Sequence, residues 1–177
     1  ACIPLHLSFS YLPKLFAQFQ SVSALQAHLI DCANLLIAGG WAIMFGRLGD
    51  RYSRKVLLNI ALMGVILLSL PMFYLVSMGQ PIYTFLGQFL LTPSVGLFGG
   101  VYTAVISEQH TTASRFFGYT ASNLSYAIAG GSAPIIAHAL TQKTGVFSTP
   151  AYYLILISLL GFLVVRSLSD KRGMDIQ

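Results

Sequence analysis

The chain has 177 residues, 55% of them hydrophobic, with 10 Lys+Arg against 5 Asp+Glu. Only 8% of the residues are charged, whereas a soluble domain carries about 25%, and the mean hydropathy is +0.73. An ordinary water-soluble domain is excluded, and the net charge of +5 calls for topology rather than nucleic acid as its explanation.

Residues 1–12 are apolar, too short to span a bilayer, and close on Pro13. They read as the end of a span whose start is missing, so the sequence reads as a piece of a longer membrane protein; a natural short chain with an external N-terminus is the alternative. They show no basic n-region followed by a cleavage-site pattern, so they do not read as a signal peptide. Full spans follow at about 25–45, 56–78, 82–106, 116–140 and 151–168. Each is near the ~20 residues that cross ~30 Å of hydrocarbon. All are expected to be helices, because lipid offers no partner to an unpaired backbone group. The expected fold is all-α: a polytopic bundle of five full spans plus part of a sixth. Pro71, Pro93 and Pro134 fall inside spans and predict kinks.

Basic residues orient the bundle. Five spans put Arg47, Arg51, Arg54, Lys55, Arg115, Arg166, Lys171 and Arg172 on one side, and Lys14 and Lys143 on the other. Positive charge gathers on the cytoplasmic side, so the 46–55 loop, the 107–115 loop and the C-terminus are expected there. The membrane is expected to be a bacterial inner membrane.

The loop "GRLGDRYSRK", Gly46 to Lys55, holds four of the ten basic residues. Gly46 and Gly49 are expected to let the chain leave the first span in a tight turn. Asp50 stands four residues before Arg54, a spacing that permits an ion pair if the turn is helical. Ser53 is the expected N-cap of the second span. An ordinary basic loop that only sets topology is the plainer reading.

These residues resemble the signature loop of the major facilitator superfamily, G-x-L-x-D-R-x-G-R-[RK]. Gly46, Leu48, Asp50, Arg51, Arg54 and Lys55 match it; Ser53 replaces the usual glycine. Glu108 and Arg115, with six residues between them, are similar to the family's E-x6-R pattern, with Thr111 where a proline is often found. "ASNLSYAIAGGSAPIIAHAL" and "PAYYLILISLLGFLVV" look most like the metabolite–proton symporter branch, which includes proline/betaine transporters. The resemblance covers essentially the whole chain. It implies the C-terminal six-helix half of a twelve-helix carrier, with residues 1–12 as the tail of helix seven. It further implies proton-coupled symport of a small polar metabolite by alternating access, with the missing N-terminal half as partner. Gly46, Asp50, Arg51, Arg54, Lys55, Glu108 and Arg115 would form a cytoplasmic gate. A non-transporting membrane module or degenerate half-carrier is the alternative.

Polar residues inside the spans are the candidate solute or proton path. Asp31 is costly in lipid and normally faces a bundle interior or a wet cavity. His28 and Asn34 lie three residues to either side, roughly on one face. The plainer reading starts the span near Cys32 and leaves Asp31 at the outer interface. Gln88, Ser122, Asn123 and Tyr126 suit a polar zwitterion or organic acid, or equally hydrogen bonds between helices. Trp41 is read as core or cavity wall, His138 as an interface residue, and Tyr152 and Tyr153 as an aromatic belt. Gly96 and Gly100 make a G-x-x-x-G pair, and Gly130–Gly131 a second small patch, for close helix approach. Cys2 and Cys32 are too few for a disulfide framework, and no metal spacing or cofactor motif is present. H-E-x-x-H and the Walker loop are missing, and "GGSAP" fails G-x-S-x-G at its last position, so an enzyme is not expected.

Overall fold

The computed structural model describes residues 2–12, 23–109 and 115–167, without the side chains of Cys2, Ser107 and Arg115. Lys14, Thr111, Lys171 and Arg172 lie outside the described residues. The chain is helical throughout the described part. Helix α1, Cys2–His6, runs into a π-helical turn, Leu7–Tyr11. Then come α2 (Ala24–Arg51), α3 (Arg54–Ser77), α4 (Pro81–Gln109), α5 (Arg115–Thr144) and α6 (Thr149–Ser167).

Among the described residues, α2, α3, α4 and α6 are long and apolar enough to cross a membrane. Helix α5, at 30 residues, is long enough at ~1.5 Å per residue, but glycine, serine, threonine, asparagine and tyrosine dilute its apolar surface. The helices run on through Pro71, Pro93 and Pro134. The bundle is an integral membrane architecture, with large apolar side chains such as Leu36, Phe116, Ile135 and Leu163 turned outward.

Local chemistry explains the helix ends. Ser23 and Gln26 form a reciprocal capping box: the Gln26 N–H donates to Ser23 Oγ at 3.3 Å, and the Ser23 N–H to Gln26 Oε1 at 3.2 Å. The α3–α4 turn uses Gly79 at φ 74°, a left-handed conformation that glycine adopts without a Cβ penalty. The turn after α2 differs from expectation. Gly46 and Gly49 do not break the helix, which continues to Arg51 and leaves only Tyr52 and Ser53 as linker. Both glycines face α4 instead: a Cβ on Gly49 would meet Val101 Cγ2 at 3.3 Å, and one on Gly46 the Gly100 carbonyl at 3.6 Å. Ser53 does take the N-cap place, but without a side-chain capping bond.

Helix α4 is the axis of the bundle, packed most extensively on α2 and α3, while α3 packs on α6 and α5 on α1. Gly96 and Gly100 make the α2–α4 approach possible: Cβ atoms there would run into Trp41 Cβ and the Ala42 carbonyl oxygen, respectively. Gly130 and Gly131 act differently. Gly130 gives room to the His6 ring, whose Cε1 would lie 2.6 Å from a Cβ, and Gly131 faces open space. The main core joins Leu7, Leu12, Met72, Phe73, Leu91, Ala137 and Leu154.

This packing makes a graded test. Gly100→Val drives a branched side chain into backbone, which overpacking precedent puts at about 1–3 kcal/mol. The expected outcome is a melting midpoint several degrees lower in a detergent thermal-shift measurement, with Gly131→Ala unchanged. Equal midpoints for the two variants would mean that α2 and α4 are not in backbone contact.

Candidate functional site: an ionic cluster, a buried amide network and an aromatic cleft

The end of the bundle at the α2–α3 linker gathers the charges. Arg54, in the first turn of α3, is 18% exposed and pairs closely with Glu108, near the end of α4 and also 18% exposed. The same guanidinium lies 3.8 Å from Asp50, which is 75% exposed. Its Nε donates to the Gly49 carbonyl at 3.4 Å, so it also satisfies the carbonyl end of α2, where cations are favoured. Next to it, Lys55 Nζ donates to the Arg166 carbonyl at 2.6 Å, tying α3 to the end of α6. The Arg166 guanidinium sits 4.9 Å from the Phe162 ring centroid. Of the seven residues assigned to a gate from sequence, the structure brings Asp50, Arg54 and Glu108 into one cluster with Lys55 adjacent. Gly46 serves packing, Arg51 is exposed, and the Arg115 side chain lies outside the described residues.

The second group lies within the bundle. Gln88 is fully buried on α4. Its Nε2 donates to the Ser8 carbonyl at 3.0 Å and to Asp31 Oδ1 at 3.4 Å. Its Oε1 accepts from Asn34 Nδ2 at 3.2 Å. Asn34, also fully buried, lies within reach of the Ile30 and Phe85 carbonyls as well. Asp31 is half-buried and His28 exposed, so their shared face rotates from outside to core between the two. The Ser8 carbonyl is available for a chemical reason. In the π turn the Leu12 N–H donates to Leu7, and the next residue, Pro13, has no N–H to give. Three more buried oxygens, Ser8 Oγ, Asn34 Oδ1 and Thr84 Oγ1, have no partner among the described residues. Thr84 stands one helical turn before Gln88.

The third group is a cleft of about 240 Å³ lined by Leu5, Val95, Phe98, Gly99, Tyr102, Thr103, Asn123 and Tyr126. Asn123 is exposed and donates to the Tyr119 carbonyl on its own helix at 3.1 Å. Ser122 is half-buried beside it. The sequence candidates thus divide: Gln88 joins Asp31 and Asn34, whereas Asn123 and Tyr126 line a separate cleft. Phe98, Tyr102 and the Ser8 carbonyl were not singled out from sequence. An aromatic pair at i, i+4 on an apolar helix looks like core, and a backbone carbonyl leaves no trace in composition.

Trp41 stacks on Phe45 at 5.4 Å. His138 contacts Gln142 at 2.9 Å. Tyr152 is exposed, while Tyr153 packs against the core. A larger cleft of about 550 Å³ between α3, α4, α6 and Pro4 is almost wholly aliphatic and aromatic, with little to orient a polar solute.

No family model matches the chain. Curated relatives do. It is 31% identical over 166 residues to a Staphylococcus aureus protein named for proline/betaine transport, covering 90% of this chain and 34% of the relative. It is 26% identical over 150 residues to an ectoine/proline transporter of Corynebacterium glutamicum, covering 84% of this chain and 30% of the relative. A glycine betaine/proline/ectoine/pipecolic acid transporter of Dickeya dadantii is 31% identical over 121 residues, 68% of this chain and 24% of the relative. The chain therefore spans about a third of the length of the curated relatives it matches. The chain is a homologue of the proline/betaine transporters of the major facilitator kind, and its partial coverage of them fits the C-terminal half that its motifs mark.

Proposed function

We propose that the chain forms the C-terminal half of a secondary transporter for small zwitterionic solutes such as proline and betaine. The observation that carries this is the match of 90% of the chain to a protein named for proline/betaine transport. In this reading α5 spans the membrane with the other four long helices, and Cys2–Leu12 ends a sixth span. The ends bearing Arg54 and Arg166 face the cytoplasm of a bacterial inner membrane, by the bias of basic residues to that side. The solute binds near mid-membrane between this half and an N-terminal half, and rigid-body rocking exposes it to each side in turn. Uptake of labelled betaine and proline into proteoliposomes holding the full transporter tests it. Uptake above that of empty vesicles is expected; solute binding without uptake would instead leave a membrane module that does not transport.

The ionic cluster is the cytoplasmic latch in this scheme. It favours the state closed to the inside only by the energy it gains there and loses on opening. Its strength lies in the Arg54–Glu108 pair, because both partners are shielded, while Asp50 is open to water, where a pair is worth about 0–1 kcal/mol. Asp50→Asn is therefore expected to lower uptake mildly, and Glu108→Gln and Arg54→Gln far more, with membrane insertion intact in all three. The exchanged pair Arg54→Glu with Glu108→Arg should recover part of the loss. If Asp50→Asn proves the most damaging, the latch is built around another partner.

Asp31, held by Gln88 between α2 and α4, is the coupling site for a proton, supported by its position and by the buried oxygens nearby that await partners. Asp31→Asn should abolish accumulation driven by a pH gradient while leaving downhill exchange of solute. Gradient-driven accumulation that survives the substitution assigns coupling elsewhere. Gln88→Leu removes the bonds to Ser8, Asp31 and Asn34 together, so both accumulation and exchange should fall, and stability should drop by about 1–3 kcal/mol from buried groups left unpaired.

A further inference from the structure

Three aromatic side chains, Phe98, Tyr102 and Tyr126, line the cleft of about 240 Å³. Phe98 and Tyr102 follow one another by a helical turn on α4, with ring centroids 5.7 Å apart and planes at 36°. Tyr126 comes across from α5, its centroid 6.1 Å from that of Tyr102, at 42°. These are neither stacked nor edge-to-face pairs. Phe98 and Tyr102 line the larger cleft as well, and all three line this one. Gly99 keeps a side chain out of that space, with nothing nearer than Ala42 Cβ at 4.0 Å from where its own Cβ would be. Beyond Tyr126, the His6 ring completes the row, 5.7 Å away and edge-on at 66°.

The lining carries no formal charge. Its other polar groups are Thr103 and Asn123. A cation with full net charge would lose its hydration here without an opposing carboxylate, which is expensive. A zwitterion brings its own compensation. The face of an aromatic ring attracts an ammonium within about 6 Å of the centroid, and alkylated ammonium groups are the ones that aromatic cages select, because their methyl surface fits the rings and their hydration is weak.

We propose that Phe98, Tyr102 and Tyr126 form the ammonium-binding subsite for a small zwitterion, with Asn123 and Thr103 at the rim. The assignment takes only the class of solute from the transport reading above; the subsite itself rests on three aromatic rings lining one uncharged cleft. It also separates solute from coupling: the solute's cationic end sits between α4 and α5, and Asp31 belongs to the α2–α4 network.

The test is equilibrium binding of labelled glycine betaine to the protein in lipid nanodiscs, with two competitors. Tetramethylammonium carries the cationic head alone. 3,3-Dimethylbutanoate has the shape and carboxylate of betaine with carbon in place of the charged nitrogen. A carbon isostere at least about ten-fold weaker than betaine is expected, within the range that cation–ring attraction supplies at a desolvated site, and tetramethylammonium, which brings no carboxylate to offset its charge, should compete but far more weakly than betaine. Tyr102→Phe and Tyr126→Phe keep the rings and should bind within about three-fold of the parent, while Tyr102→Leu and Tyr126→Leu should lose about five-fold or more. Equal competition by betaine and its carbon isostere overturns the cage, and that measurement needs no variant to fold. So does unchanged binding in both leucine variants, or no betaine binding by the parent protein. Intact, charge-selective binding with no uptake in proteoliposomes would sink the transport reading and leave the cage standing. Uptake that both leucine variants sustain would do the reverse.

Discussion

Helix α4 has to be held against its neighbours without the force that packs soluble proteins. In lipid, apolar faces gain little by leaving one apolar solvent for another, so helix association rests on close contact of small residues and on interhelical hydrogen bonds. Helix α4 supplies both toward α2. Gly96 and Gly100 bring the two backbones into contact, and Gln88, two turns earlier, receives Asn34 from α2 while donating to Asp31 on α2 and to the Ser8 carbonyl. The ionic cluster and the aromatic cleft both depend on this, because Glu108 and Tyr102 ride on the same helix.

The π turn explains why the amide must be there. A widened turn that meets a proline leaves a carbonyl without a helical donor, and in hydrocarbon such a group costs several kcal/mol. Gln88 meets that need from another helix. One side chain thus repairs a local defect in the first helix and links three helices, so its position is tightly determined. The linkage ties the π turn, α2 and α4 together, whereas α5 packs chiefly on α1 and the π turn and only sparsely on α4.

Much of this was legible in the residues. The all-helical character was legible in the long apolar stretches, and four of the described helices are long and apolar enough to cross a membrane. The ion pair between Asp50 and Arg54 followed from spacing, and the G-x-x-x-G pair from residue size. The glycines of the signature loop were misread, since glycine signals both a turn and a close approach, and only the neighbour decides which; here the neighbour is α4. Helix α5 blurs the span pattern for a related reason: two of the residues that dilute its hydropathy, Asn123 and Tyr126, line a cleft. Gln88, Asp31 and Asn34 were all visible as polar residues in apolar segments, but not their mutual bonds, which need the register of α2 against α4.

The three groups occupy different helix pairs, and that division bears on mechanism. The ionic cluster closes α3 onto α4, the amide network fixes α2 to α4, and the aromatic cleft opens between α4 and α5. A carrier that rocks needs rigid parts and at least one seam whose energy differs between states, because only differential contacts shift a conformational equilibrium. The α2–α4 seam, with its backbone contact and buried amides, belongs to the rigid part. The α4–α5 seam is sparse and lined by aromatic side chains and exposed polar groups, and in the proposed carrier it is where a solute's contacts would change the balance. A ligand held by Tyr102 and Tyr126 would pull α5 toward the rigid core, so binding energy and movement act along the same line.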